Sequence, residues 1–232
     1  MAGSLAVKRR GAIPIGHIYR ASVLFADLRG YTGLAERLSP GQLLPLLDEF
    51  FGVLAHVATL HGGTVFHMAG DGIMAGFGGT GVAVTDAPEG RIPPGSAPLR
   101  DGAREALAAG NAMLQQFGAV AARWREALSI EAGIGVGLHL GEVAQGVIGP
   151  PGQKFNTLVG DTVNVAARLC GRARAGEVLL SCSVAAALDI DDGGRNLYVG
   201  PIPVLQLPQF ALRGRLAPMD IWCVPALERV AF

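Results

Sequence analysis

The chain has 232 residues, half of them hydrophobic, which is enough for one substantial core and within the usual size of a single domain. Its 19 basic and 19 acidic residues cancel to a formal charge of zero, which excludes a large sequence-independent attraction to nucleic acid or to an anionic membrane. No apolar run approaches transmembrane length, the N-terminus lacks the apolar stretch of a signal peptide, and Cys170, Cys182 and Cys223 are unclustered, so a cytoplasmic protein with reduced thiols is expected.

Residues 1–20 are mixed and weakly basic and read as an arm or a short lead-in strand. Val23-Leu24-Phe25 is a buried-looking strand that ends in Asp27. A helix is expected soon after it, and the free N–H groups around Gly30 to Gly33 would suit phosphates. Ser39 is a suitable N-cap and Pro40 a suitable first helical residue. Leu43, Leu44, Leu47, Phe50, Phe51 and Leu54 then recur at helical spacing, which predicts a core-facing helix to about Leu60. His61-Gly62-Gly63 stops it. Next comes a predicted hairpin, with apolar residues on both sides of the turn Gly70-Asp71-Gly72.

Residues 79–98 are rich in Gly, Pro, Ser and Asp and read equally as a lid, an insertion or a disordered segment. A second long helix is expected over about 99–128. Residues 130–148 alternate small apolar residues with glycine and predict two strands joined near Gly141-Glu142. Asp161 is expected to N-cap a helix on which Asn164 and Arg168, four apart, share a face. A strand at Val178-Leu179-Leu180-Ser181, a helix from Val184 to Leu188, a polar turn at 191–194 and closing strands near 210–212 and 221–224 complete the chain. The alternation predicts one α/β domain over 21–226 with a partly antiparallel sheet, followed by a tail at 227–232.

Asp27 and Asp71 are carboxylates at strand ends with oxygen-only surroundings, which suits hard divalent cations; Asp71 read alone is equally a plain turn residue. The spacings of His56, His61 and His67 do not converge as a zinc site requires. Repeated Gly-x-Gly over 133–141 lacks the strand, tight turn and helix of a dinucleotide site.

Four stretches together resemble the catalytic domain of class III nucleotidyl cyclases, the adenylate and guanylate cyclases. They are Phe25-Ala26-Asp27-Leu28-Arg29-Gly30-Tyr31-Thr32, Gly70-Asp71-Gly72-Ile73-Met74-Ala75-Gly76-Phe77-Gly78, Gly135-Val136-Gly137-Leu138-His139-Leu140-Gly141-Glu142 and Val159-Gly160-Asp161-Thr162-Val163-Asn164-Val165-Ala166-Ala167-Arg168-Leu169. The resemblance covers roughly residues 20–225 and implies a ferredoxin-like, mixed but largely antiparallel sheet flanked by helices. It implies a reaction in which the ribose 3′-hydroxyl of a nucleoside triphosphate attacks its own α-phosphate, giving a 3′,5′-cyclic monophosphate and pyrophosphate. Two Mg2+ or Mn2+ per active site would be held at Asp27, Leu28 and Asp71. Asn164 would orient the ribose, and Arg168 would stabilise charge on the α-phosphate.

The same resemblance implies that Gly30, Tyr31 and Thr32 meet phosphates and that Arg213, with Arg215 beside it, holds the outer ones. The base would be read by His67 and Thr157. His67 stands where adenylate cyclases usually have Lys and guanylate cyclases Glu, and Phe155-Asn156 replaces the frequent Asp-Tyr. ATP is the favoured substrate, with GTP or a pyrimidine triphosphate behind it. Since the family takes its metal aspartates from one subunit and its Asn and Arg from the other, a head-to-tail homodimer with shared sites is implied. A catalytically silent nucleotide-binding dimer is the competing reading. A diguanylate cyclase does not fit, because Ala69-Gly70-Asp71-Gly72 stands where its Gly-Gly-Asp/Glu-Glu-Phe turn would be.

Overall fold

In chain order the elements are β1 (His17–Arg29), α1 (Tyr31–Arg37), α2 (Pro40–Leu60), β2 (Thr64–Ala69), β3 (Gly72–Phe77), α3 (Ala103–Leu128), β4 (Gly133–Ile148), β5 (Phe155–Val159), α4 (Asp161–Cys170), β6 (Glu177–Ser181), α5 (Cys182–Ala187), β7 (Tyr198–Val199), β8 (Ile202–Pro203), β9 (Leu205–Phe210) and β10 (Met219–Val224). The structure is a computed structural model, and it describes residues 17–79, 101–190, 198–210 and 218–226. The main sheet runs β2-β3-β1-β4-β6-β10-β9, with β5 added to β4. Among its described pairings only β4 with β6 is parallel, so the sheet is mixed and largely antiparallel, as the resemblance implied. β7 and β8 form a separate two-stranded ribbon.

β1 explains its own composition. Leu24, Ala26 and Leu28 face the core under α2 and α3, while Ala21 and Val23 face a smaller cluster with Val143, Leu158 and Ala166. A strand covered on both faces reads as a continuous apolar run. It starts at His17, so residues 17–20 of the expected arm or lead-in strand are strand, and residues 1–16 lie outside the described residues.

α2 begins as expected. Pro40 is its first residue, and the Ser39 amide donates to Gln42 Oε1 at 3.0 Å. By length and apolarity this helix would suffice to cross a bilayer, contrary to the expectation that no stretch approaches that length. Leu46, Phe50, Leu54, Val57 and Ala58 are buried in the core, where Phe50 packs edge-on to Phe117, which packs edge-on to Trp124 of α3. Leu44, expected on the core face, and Leu60 are exposed because they lie outside this buried stripe of the helix. The Trp124 Nε1–H donates to Glu49 Oε2 at 2.8 Å. α3 starts at Ala103, later than expected, after Gly102 in the left-handed region and with the Ala103 amide donating to Asp101 Oδ1.

Two expectations fail around β4, for one reason. Residues 133–148 form one continuous strand and not two joined near Gly141. Its glycines are clearance for α4. A Cβ on Gly137 would overlap the Cys170 amide nitrogen, and a Cβ on Gly141 would stand 2.5 Å from Thr162 Oγ1. The opposite face of the strand carries Ile134, Val136, Leu138 and Leu140 into the main core. At the helix start the N-cap is Gly160, with φ 142°, and Asp161 is already the first helical residue. Gly160 passes against Glu142, where a Cβ would stand 3.2 Å from the Glu142 carbonyl oxygen.

Of the strand expected near 210–212, Phe210 closes β9 (Leu205–Phe210), and residues 211 and 212 lie outside the described residues. The loop at 80–98, the polar turn at 191–194 and the tail at 227–232 lie outside the described residues.

Candidate active site

Asp27 lies near the end of β1, opposite Gly72 of β3 on one side and Gly135 of β4 on the other. The Leu28 amide donates to the Asp71 carbonyl at 2.8 Å, which ties the β2–β3 turn to the strand end and brings the two carboxylates together. Gly72 sits close to the Asp27 carboxylate, since a Cβ there would stand 3.3 Å from Asp27 Oδ1. Two residues on, Arg29 Nη1 donates to Asp27 Oδ2 at 3.0 Å, while Nη2 donates to the Cys170 carbonyl at the end of α4.

Burial, and then the Asp71 carboxylate, push the Asp27 carboxyl above the usual carboxylate range, and Arg29 offsets part of this. Relative to the unfolded chain, folding therefore favours the protonated form of Asp27. That contribution to stability is fully present below the ordinary aspartate pKa of about 3.9 and is lost as pH rises through the raised folded value. Asp27→Asn mimics the neutral form. In the absence of divalent metal it is expected to melt above the parent at neutral pH, and the gap should close as pH falls towards about 4. Melting curves across that range check this, and a gap independent of pH would refute the electrostatic cause.

Among the described residues no group of three or more His, Cys, Asp or Glu side chains converges on one point. Two adjacent carboxylates still fit magnesium or manganese, because such ions are commonly held by one or two carboxylates with substrate phosphates and water completing the shell. The strain on Asp27 points the same way, since two close anions gain from a shared cation.

α1 opens immediately beside this pair. Its N-cap, Gly30, has φ 81°, and Gly30 and Thr32 are exposed with Tyr31 half-buried. On α4, Val165, Ala166 and Leu169 are buried against the sheet, which leaves Asn164 exposed and Arg168 half-buried. Neither forms a hydrogen bond or ion pair with Asp27 or Asp71 among the described residues. One chain thus presents the carboxylate pair and the amide–guanidinium pair on different elements without joining them.

His67 is exposed on β2, opposite Met74 and just past a register irregularity after Val65. Thr157 is half-buried on β5, opposite Gly146. Their neighbours Phe66 and Leu158 meet over Gly76, where a Cβ would crowd both. The two expected base readers therefore belong to strands that approach each other. Arg213 and Arg215 lie outside the described residues. Sequence reasoning gave Arg29 no role, although an arginine two residues from Asp27 on one strand shares its face.

Residues 14–205 match the family described as the adenylate and guanylate cyclase catalytic domain. The chain belongs to this family. The cyclase domain is 26% identical over 160 residues to an adenylate cyclase of Anabaena cylindrica, covering 66% of this chain and 27% of that protein. It spans about a quarter of the length of the curated relatives it matches. It is similar in structure to the adenylyl cyclase CyaB from P. aeruginosa, with TM-score 0.74 and 25% identity over 92% of this chain and 97% of that one. It is also similar to the guanylyl cyclase Cya2, with TM-score 0.72 and 27% identity over 94% and 98%. Both likenesses extend over nearly the whole of a solved catalytic domain, so the fold is that of a class III cyclase.

Proposed function

We propose that this cyclase domain converts a nucleoside triphosphate, ATP by preference, to its 3′,5′-cyclic monophosphate and pyrophosphate, at two sites shared head-to-tail between two copies of the chain. The observation that carries the reading is the separation just described: Asp27 and Asp71 lie together, while Asn164 and Arg168 face away from the sheet on α4. A second copy supplies each half with its complement. Apolar side chains exposed at the β4–β5 hairpin, Val147, Ile148, Phe155 and Val159, support an association of copies, since each is roughly half exposed.

In each shared site Asp27, Leu28 and Asp71 would hold two Mg2+ or Mn2+, and when bound these ions would acidify the 3′-hydroxyl and neutralise the triphosphate. The chain's own residues do the rest. Gly30, Tyr31 and Thr32 line the phosphates at the start of α1, and Arg213 takes the outer ones. Asn164 of the other copy turns the ribose so that its 3′-oxygen faces the α-phosphorus, and Arg168 aims a planar fork at the α-phosphate oxygens as charge builds there. His67 and Thr157 read the base.

GTP is the second reading, because the domain is about as similar to the guanylyl cyclase Cya2 as to the adenylyl cyclase CyaB. An imidazole at position 67 also offers one donor and one acceptor in its neutral form and so does not select adenine by itself. Product analysis with ATP, GTP, CTP and UTP, each with manganese and then magnesium, tests the proposal. Cyclic AMP is expected to dominate. A dominant cyclic GMP would reassign the base, and no cyclic product from a folded dimer that still binds nucleotide would replace catalysis with a silent binding role.

A further inference from the structure

We propose that Arg29 is a positioning residue with two linked tasks: it occupies the place of a cation at Asp27 when no metal is bound, and it ties that carboxylate to the end of α4. The inference rests on the reading of Asp27 as a metal ligand. Asp27 and Arg29 share one face of β1, and Nη1 donates to Asp27 Oδ2 at 3.0 Å. The other arm of the guanidinium, Nη2, donates to the carbonyl of Cys170 and lies 3.6 Å from its Sγ. Cys170 closes α4, where carbonyls lack helical partners and the helix dipole favours a cation.

The fold is cut to admit this side chain. A Cβ on Gly135 would stand 2.5 Å from Nη2 and 2.6 Å from Nε of Arg29 and 2.8 Å from the Ala173 carbonyl oxygen, so a side chain opposite Asp27 would displace the guanidinium from this place. Arg29 is 24% exposed and its Nε is buried without a partner, so the fork is committed to the carboxylate on one side and the helix end on the other. A forked, permanently charged group can span both acceptors at once. A lysine ammonium is a point charge without that fork.

Two consequences follow from one geometry. A divalent ion arriving at Asp27 competes with the guanidinium for Oδ2 and is repelled by its charge, so Arg29 weakens metal binding. The same guanidinium anchors α4, which carries Asn164 and Arg168, so its loss lowers turnover even when metal saturates. In a head-to-tail dimer Asp27 and α4 of one chain serve different sites, and Arg29 therefore joins the metal half of one to the ribose half of the other.

The test compares the full chain with Arg29→Gln and Arg29→Lys. Mn2+ binding without nucleotide is read from the free-ion resonance, and kcat and KM are measured at saturating manganese. Arg29→Gln is expected to bind Mn2+ about three- to tenfold tighter, from removal of one nearby positive charge. Its kcat should fall at least about tenfold with KM little changed, the cost of a group displaced by about an ångström. Arg29→Lys should keep the parent's weak Mn2+ binding and share the low kcat, which separates charge from tether. Unchanged or weaker Mn2+ binding in Arg29→Gln, or normal turnover in either variant, overturns the proposal. Asp27→Asn is the control on the underlying reading. If it binds Mn2+ as the parent does, the metal assignment has failed, and Arg29 has no cation to stand in for. A parent that binds Mn2+ at Asp27 without making product sinks the cyclase reading alone, and the Mn2+ arm still decides for or against the stand-in cation.

Discussion

Replacing Asp27 or Asp71 by alanine is expected to cut turnover at saturating manganese by about three orders of magnitude, while the protein remains folded. The size follows from the several kcal/mol that a bound metal contributes to a transition state, at about 1.4 kcal/mol per tenfold in rate. The fold should tolerate both changes. Asp71 contacts β1 through its backbone carbonyl, which accepts from the Leu28 amide whatever the side chain. Burial of the Asp27 carboxylate and the neighbouring Asp71 outweigh its pairing with Arg29, so its removal does not cost the metal-free chain its fold. Initial rates and melting curves measured on the same samples check both parts. Near-parental activity in either variant would remove these carboxylates from the metal site.

Mixing Asp27→Ala chains with Asn164→Ala chains is expected to restore activity that neither has alone. With random exchange, half of the dimers are mixed and each has one intact site of two, so recovery should approach about a quarter of the parent rate. The expectation comes from geometry. Asn164 and Arg168 stand on the outward side of α4, and no described hydrogen bond or ion pair joins them to the carboxylate pair of the same chain. A site completed within one chain would give no recovery on mixing. The heterodimer fraction, measured by differential tagging, sets the scale for the observed rate.

How much of this was legible before the structure differs from element to element. α2 was readable because a cap, a proline at the first position and a helical apolar period all agree. The β2–β3 hairpin was readable from Gly-Asp-Gly between apolar runs, and that same turn carries Asp71. β4 misled, because glycine is both a turn signal and a sign of close packing, and only the neighbour decides between the two. Here the neighbour is α4, whose backbone lies against Gly137 and whose Thr162 lies against Gly141. The N-cap of α4 missed by one residue for a related cause: Gly160 holds φ 142° close against the Glu142 carbonyl, a backbone conformation that favours glycine.

The site divides in the same way. Asp27, Asp71, Asn164 and Arg168 could be nominated from sequence because their chemistry and local spacing lie within short stretches. The sequence by itself determined α2, the β2–β3 hairpin, a partly antiparallel sheet and the family, since apolar periodicity and motif order are local properties that need no partner. Only the tertiary structure decided that the two carboxylates meet, that burial and mutual repulsion raise the Asp27 pKa, and that Arg29 reaches from Asp27 to Cys170. Arg29 and Cys170 lie 141 residues apart in the chain, and the contact exists because β1 pairs along its whole length with the 133–145 part of β4, where Gly135 leaves room for the guanidinium.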